Sequence, residues 1–227
     1  MKKPTDTTLR RSRTLKQTVR TAKKRTAAST QWLERQLNDP YVAAAQAGGY
    51  RSRAAFKLLQ LQEQFKLIRP GYTVVDLGAA PGGWSQVAAD IVGAKGRVLA
   101  LDILPMTELP GVTFLEGDFT EVAMAEKLLA MIKSPPDIVL SDMAAPTTGH
   151  NATDHLRVIA LAELALDFSL RVLRPGGHFL VKVFQGGATN TLLQLCKQNF
   201  RQVKHVKPPA SRKESAELYL LALDRKA

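Results

Sequence analysis

Val74-Val75-Asp76-Leu77 runs directly into Gly78-Ala79-Ala80-Pro81-Gly82-Gly83, and Trp84 then opens a helical stretch. A buried, β-branched run that enters a glycine-rich turn and leaves as a helix is the opening unit of a doubly wound α/β sheet. Such sheets bind ligands beyond the carboxyl ends of their strands. Glycine at the turn lets a ligand approach the backbone where a Cβ would collide with it. The spacing G-x-x-x-G-G, with Pro81 inside, departs from the G-x-G-x-x-G of dinucleotide folds and lacks the Lys-Ser/Thr of a P-loop. Asp76, just ahead of the glycines, would repel a pyrophosphate and suits a ligand that carries an ammonium and a sulfonium.

Acids recur where the next strands end: Asp102 follows Val98–Leu101, and Asp118 follows Leu115. An acid closing the second strand is placed to accept both ribose hydroxyls of an adenosyl group, and Asp118 can receive the adenine amino group. Taken singly, each is more often a solvated strand-end residue, and a tryptophan opening a helix more often just packs. Taken together, Asp76, Gly78, Gly82, Gly83, Trp84, Asp102 and Asp118 point to S-adenosyl-L-methionine as the cofactor.

The rest of the chain repeats the alternation. Strands are expected at Thr73–Leu77, Arg97–Leu101, Val112–Leu115, Asp137–Ser141, His178–Phe184 and Glu217–Leu223. Helices are expected at Gln31–Ala47 (entered through Ser29/Thr30 and interrupted near Pro40), Arg51–Gln64, Trp84–Ile91, Leu156–Leu173 and Leu192–Gln198. Near-continuous apolar strands separated by helices call for a mostly parallel sheet covered on both faces. Residues 31–227 read as one Rossmann-like domain. Residues 1–30 carry ten Lys or Arg against Asp6 alone, most of the chain's net charge of +12. With few large apolar residues they cannot offset their ordering entropy, so a disordered tail that contacts phosphates is expected. Charge runs more often form solvated extensions, and an acid-poor, Arg- and Thr-rich leader also fits a transit peptide. The poor apolar periodicity ranks that last reading lower. One cysteine, Cys196, fits a reducing cytoplasm. Four scattered histidines give no metal-ligand spacing, and no run approaches the roughly 20 apolar residues of a membrane span.

Five ordered segments carry a resemblance: Arg51-Ser52-Arg53-Ala54-Ala55-Phe56-Lys57, Asp76–Gln86, Ser141-Asp142-Met143-Ala144, Val181-Lys182-Val183-Phe184-Gln185-Gly186 and Ser215-Ala216-Glu217-Leu218-Tyr219. In these the chain resembles the FtsJ-type family of ribose 2′-O-methyltransferases, from about Thr26 to Lys226. The resemblance implies a Rossmann-like methyltransferase fold whose last strand is antiparallel. It also implies a catalytic tetrad of Lys57, Asp142, Lys182 and Glu217, with Asp142 also touching the cofactor. The implied substrate is a uridine of large-subunit (23S) ribosomal RNA on the assembled subunit, and the implied enzyme is a monomer without metal. The family's Asp-Met-Ala-Pro-Asn reads Asp142-Met143-Ala144-Ala145-Pro146 here, and Gly187-Ala188-Thr189 also drift. Neither departure touches the tetrad.

A ribose hydroxyl is a poor nucleophile at neutral pH, so it needs a base and in-line placement. Lys182, inside an apolar strand, would alone be read as an edge lysine whose ammonium reaches water. Beside Asp142 and the glycine turn it becomes the group that takes the 2′-proton or orients the hydroxyl. Asp142 would fix Lys182 and help place the methyl group, while Lys57 and Glu217 orient the ribose. Arg51, Arg53 and Lys57 at one helix start, with Lys204, Lys207, Arg212 and Lys213 before the last strand, are expected to form an RNA-binding rim. Other readings are a ribose methyltransferase of transfer RNA or cap, or a non-catalytic RNA-binding assembly factor, which the intact tetrad argues against.

Overall fold

The computed structural model describes residues 18, 19, 21, 25–146, 148–185 and 190–227. Most of the expected basic tail therefore lies outside the described residues. The first helix starts earlier than expected: α1 is Ala27–Leu37, capped by the Thr26 side chain, which accepts from the Ser29 N–H at 3.2 Å. Pro40 ends nothing by itself. It opens α2 (Pro40–Gly48) at a first-turn position where its missing N–H costs little, and Asp39 caps that helix. The third helix, α3, is Ala54–Phe65.

Seven strands follow: β1 (Thr73–Leu77), β2 (Arg97–Asp102), β3 (Val112–Glu116), β4 (Ile138–Ser141), β5 (His178–Phe184), β6 (Phe200–Val206) and β7 (Glu217–Arg225). Up to β6 they are joined by α4 (Gly83–Val92), α5 (Val122–Met131), α6 (Asn151–Val172) and α7 (Asn190–Asn199), except that a loop alone joins β2 to β3. The sheet order is β3-β2-β1-β4-β5-β7-β6, and β7 alone runs against the others. Successive residues of a strand face opposite sides, so each central strand feeds two cores. Val75 and Leu77 join Leu99, Val139, Phe168 and Val181 on one side. Val74 joins Leu58, Ile138, Leu180 and Tyr219 on the other, under α3 and α4. Burying each such side chain is worth about 1.5–3 kcal/mol, which is what fixes the register.

Two elements were not expected from sequence. Helix α5 adds Leu128 to the core on one side of the sheet. Strand β6 exposes most of its side chains, burying Phe200 while Arg201, Gln202, Lys204 and His205 stay in water. A charged, solvated edge of this sort guards against further strand pairing and hides the period-2 signal.

The topology does two things for function. The strand order reverses between β1 and β4, so the turn after β1 opens at the switch point. The reversal of β7 sets Glu217 opposite Phe184 and Tyr219 opposite Lys182, bringing the start of the last strand to the carboxyl end of β5.

Candidate active site

The turn after β1 is shaped by close packing as well as by any ligand. Gly78 has φ +78°, and a Cβ there would stand 2.7 Å from the Met143 backbone N, so the loop after β4 could not lie where it does. A Cβ on Gly83 would come within 2.3 Å of Ser52 Oγ and 3.3 Å of the Ala55 backbone N, so the Ser52 hydroxyl would have to turn away from where it lies. Gly82, at φ +102°, precedes α4 and lies against Arg51 and Met106. Trp84 is buried, donates from Nε1 to the Ala54 carbonyl at 2.9 Å and packs on the Tyr219 ring.

Asp76 lies wholly buried beneath the turn, where Ser85 Oγ donates to it at 2.6 Å. Burial pushes its carboxyl up to about 7 against the opposing pull of the Ser85 hydroxyl. The folded state thus keeps a proton that the unfolded chain releases above the ordinary value of 3.8, so stability falls as pH rises from there to about 7. The slope approaches 1.4 kcal/mol per pH unit, and Asp76→Asn should abolish it. Denaturant midpoints of the two proteins should diverge in favour of the variant between about pH 4.5 and 7.5. A difference that is constant across pH would reject this protonation.

Asp102 Oδ2 accepts the Ala80 N–H and its Oδ1 the Leu104 N–H, both at 2.8 Å. Asp118 is exposed and accepts from the Thr120 N–H and hydroxyl, which hold its carboxyl below the usual range. Both acids wall a cavity of about 220 Å³ with Gly78, Phe119, Met143 and Pro146, so the loop that departs from the family pattern forms part of its lining. A smaller cavity, sharing Gly78, reaches Gly83, Trp84, Ser52 and Asp142. Ser52 Oγ is buried there without a hydrogen-bond partner among the described residues. Acids at one end, close-approach glycine in the middle and an unpaired hydroxyl at the other match an elongated polar ligand with an adenosyl group and an amino-acid end.

Where this ligand track ends, the four predicted catalytic residues meet. Lys182 Nζ stands 3.2 Å from Asp142 Oδ1 and also donates to the Asp142 carbonyl. Lys57 Nζ pairs with Glu217 Oε1 at 2.7 Å and lies 4.0 Å from Asp142 Oδ2. Burial would raise the Asp142 carboxyl, but Lys182, Lys57 and the Tyr219 hydroxyl overcome it and hold the group below the usual carboxylate range. Tyr219, given no role from sequence, ties the cluster together. Its Oη donates to Asp142 Oδ1 at 2.9 Å and accepts from Lys57 Nζ at 3.0 Å. Burial, then the two carboxylates, raises its phenol well above the ordinary value, so it stays a donor. The available signal was its spacing: Glu217 and Tyr219 are two apart on a strand and therefore share a face.

The expected basic rim divides. Arg53, Lys57 and Arg212 line a cavity of about 230 Å³ against the tetrad, together with Gln36, Ser215 and Glu217. Arg51 turns the other way, donating to the carbonyls of Thr107 (2.7 Å) and Glu108 (2.6 Å), and thereby pins the loop after β2 to the glycine turn. Lys207 Nζ donates to the carbonyls of Lys213 and Ser215 and shapes the loop before β7, with Lys213 exposed beside it. Lys204 lies midway along β6, opposite Leu221, with its ammonium over the Phe65 ring, and is not brought to the site. Gly186–Thr189 lie outside the described residues. No cluster of three or more potential metal ligands occurs among the described residues, nor any helix long and apolar enough to cross a membrane.

A seven-stranded sheet with one reversed strand, a glycine turn after β1, an acid closing β2 and another just beyond β3 defines the class of Rossmann-like methyltransferases. Residues 50–225 match the FtsJ-like methyltransferase family, and the chain belongs to it. It is 58% identical over 205 residues to Ribosomal RNA large subunit methyltransferase E of Bartonella henselae, covering 89% of this chain and 83% of that one. The protein of the same name from Paramagnetospirillum magneticum is 57% identical over 216 residues, 93% of this chain and 88% of its own. A structure from Plasmodium falciparum described as a ribosomal RNA methyltransferase superposes with a TM-score of 0.68 at 30% identity, covering 78% of this chain and 98% of that one.

Proposed function

We propose that this methyltransferase modifies the ribose 2′-hydroxyl of a uridine in large-subunit (23S) ribosomal RNA. It acts as a monomer in the cytoplasm, on the assembled subunit, with S-adenosyl-L-methionine as donor. The observation that carries this reading is the position of the Lys57–Asp142–Lys182–Glu217 cluster. It stands between a cavity walled by Asp102 and Asp118 and one walled by Arg53 and Arg212. The names of the relatives supply the kind of RNA.

When bound, the donor supplies a methyl group on a positively charged sulfur. Asp102 and Asp118 offer carboxylates to its ribose hydroxyls and adenine amino group, and Ser52 offers a hydroxyl to its amino-acid end. On the acceptor side, Lys57 and Glu217 orient the target ribose. Asp142 fixes the Nζ of Lys182, with Tyr219 holding the carboxylate in place. As a neutral amine, Lys182 Nζ receives the proton that the 2′-oxygen loses as it acquires the methyl group; as the ammonium, paired with Asp142, it orients that hydroxyl for attack. Much of the acceleration comes from alignment, since both reactants are held on one rigid sheet edge.

Purified protein, methyl-labelled donor and large subunits from cells lacking the modification provide the test. Label is expected in an alkali-resistant dinucleotide that begins with 2′-O-methyluridine, and more efficiently with subunits than with free 23S RNA. Label in a base, or no label in large-subunit RNA, overturns the proposal.

A further inference from the structure

Asp39 lies at the elbow between α1 and α2, outside the residues that match the family, yet it holds two of the arginines that line the acceptor cavity. It is 9% exposed and divides its two oxygens between two tasks. Oδ1 accepts the Tyr41 N–H at 3.0 Å and caps α2. Oδ2 holds two guanidiniums, pairing with Arg53 and with Arg212 at 3.3 Å. Arg53 comes from the residue before α3 and Arg212 from the loop before β7, so no backbone ladder fixes them relative to each other. Arg53 is further held by the Ala210 carbonyl and lies over the Tyr41 ring. Gln36, from the last turn of α1, completes the wall of the same cavity.

We propose that Asp39 is a positioning residue for the RNA substrate, and that the elbow between α1 and α2 is a working wall of the acceptor site. It sets two guanidiniums side by side at the edge of the cavity, where a phosphate flanking the target nucleotide is met by a fixed pair of donors. This rests on the proposed function above. The alternative is that the arginines act only as charge. The two ideas differ in sign, because removing a negative group beside two cations raises the local positive potential and would then tighten RNA binding.

Asp39→Asn separates them. Its remaining oxygen can still cap α2, but an amide N–H₂ replaces Oδ2 and repels both guanidiniums. Steady-state methylation of large subunits should show KM for the RNA raised about ten-fold, with kcat and donor affinity within two-fold of wild type. Arg212→Lys, which leaves the cap and the charge untouched and serves if Asp39→Asn proves unstable, should raise the same KM several-fold, where charge alone predicts no change. Combined with Asp39→Asn it should add little, since both remove one arrangement. An unchanged or lower KM in Asp39→Asn, or a fall in kcat at unchanged KM, overturns the positioning role. So does full additivity of the pair. Wild-type protein assayed alongside keeps the two questions apart. No transfer by wild type sinks the proposed function, whereas normal transfer with a wild-type KM in the variant sinks this inference alone.

Discussion

Lys182→Ala should lose turnover by about 10²–10⁴-fold while binding the methyl donor almost as wild type does. The residue is 7% exposed, and its Nζ is committed to the carboxylate and carbonyl of Asp142, at the acceptor end of the ligand track. It lies away from Asp102 and Asp118, so ground-state affinity for the donor has little reason to change. A group whose contribution is made only as the proton leaves the 2′-oxygen reduces kcat and kcat/KM together. The fold should tolerate the change, because Asp142 keeps Tyr219 and Lys57 as partners. Single-turnover rates at saturating donor and RNA, with calorimetry of donor binding, check both halves. A near-wild-type rate would remove Lys182 from the chemistry.

Asp142→Ala should be worse, because it damages stability, donor binding and turnover at once. One carboxylate faces Lys182 at 3.2 Å, Lys57 at 4.0 Å and the Tyr219 hydroxyl at 2.9 Å. Its loss leaves Lys182 buried without its counter-ion and Tyr219 without its best acceptor. Breaking a buried pair from one side costs about 3–5 kcal/mol. For a chain of this size each kcal/mol lowers the unfolding midpoint by about 2–4 °C, so a fall of roughly 10 °C is expected. Asp142 also lines the small cavity beside Gly78, so donor affinity should drop where Lys182→Ala leaves it intact. Thermal unfolding and calorimetry run on both variants measure the contrast. Equal midpoints for the two would show that Asp142 is not the hub of the cluster.

The centre of the sheet was legible because β1, β2, β4 and β5 are apolar on both faces, and the first three of these end at a glycine or an acid. That Lys57, Asp142, Lys182 and Glu217 come together was legible through ordered motifs, and Lys182 stood out from an edge lysine only beside Asp142 and the glycine turn. What escaped the sequence has identifiable causes. β6 buries only one side chain fully, so no alternation marks it. Thr26 outranks Ser29 and Thr30 as a helix cap because Ser29 and Thr30 already sit within the first turn. Arg51, Lys204 and Lys207 are the same residue types as the cations of the acceptor cavity, and only the tertiary structure reveals that they do not line it and meet backbone carbonyls or an aromatic face elsewhere. Tyr219 and Asp39 were invisible as functional residues because their roles lie in which atoms they join across the chain.

The position of β7 between β5 and β6 has a consequence for biosynthesis. β6 leaves the ribosome before the strand that must lie beside it, so it has no place in the sheet until β7 arrives and inserts. Lys57 then meets Glu217 and Tyr219 across 160 and 162 residues of chain. Until that insertion, the nascent sheet ends in an open edge at β5, and Lys182 and Asp142 lack the tyrosine and glutamate that complete their cluster. Contacts of such long sequence separation form late and slowly. The Lys57–Glu217 and Lys57–Tyr219 contacts are therefore closed only once the last strand is in place, and a prematurely terminated chain, however well its first five strands fold, lacks them.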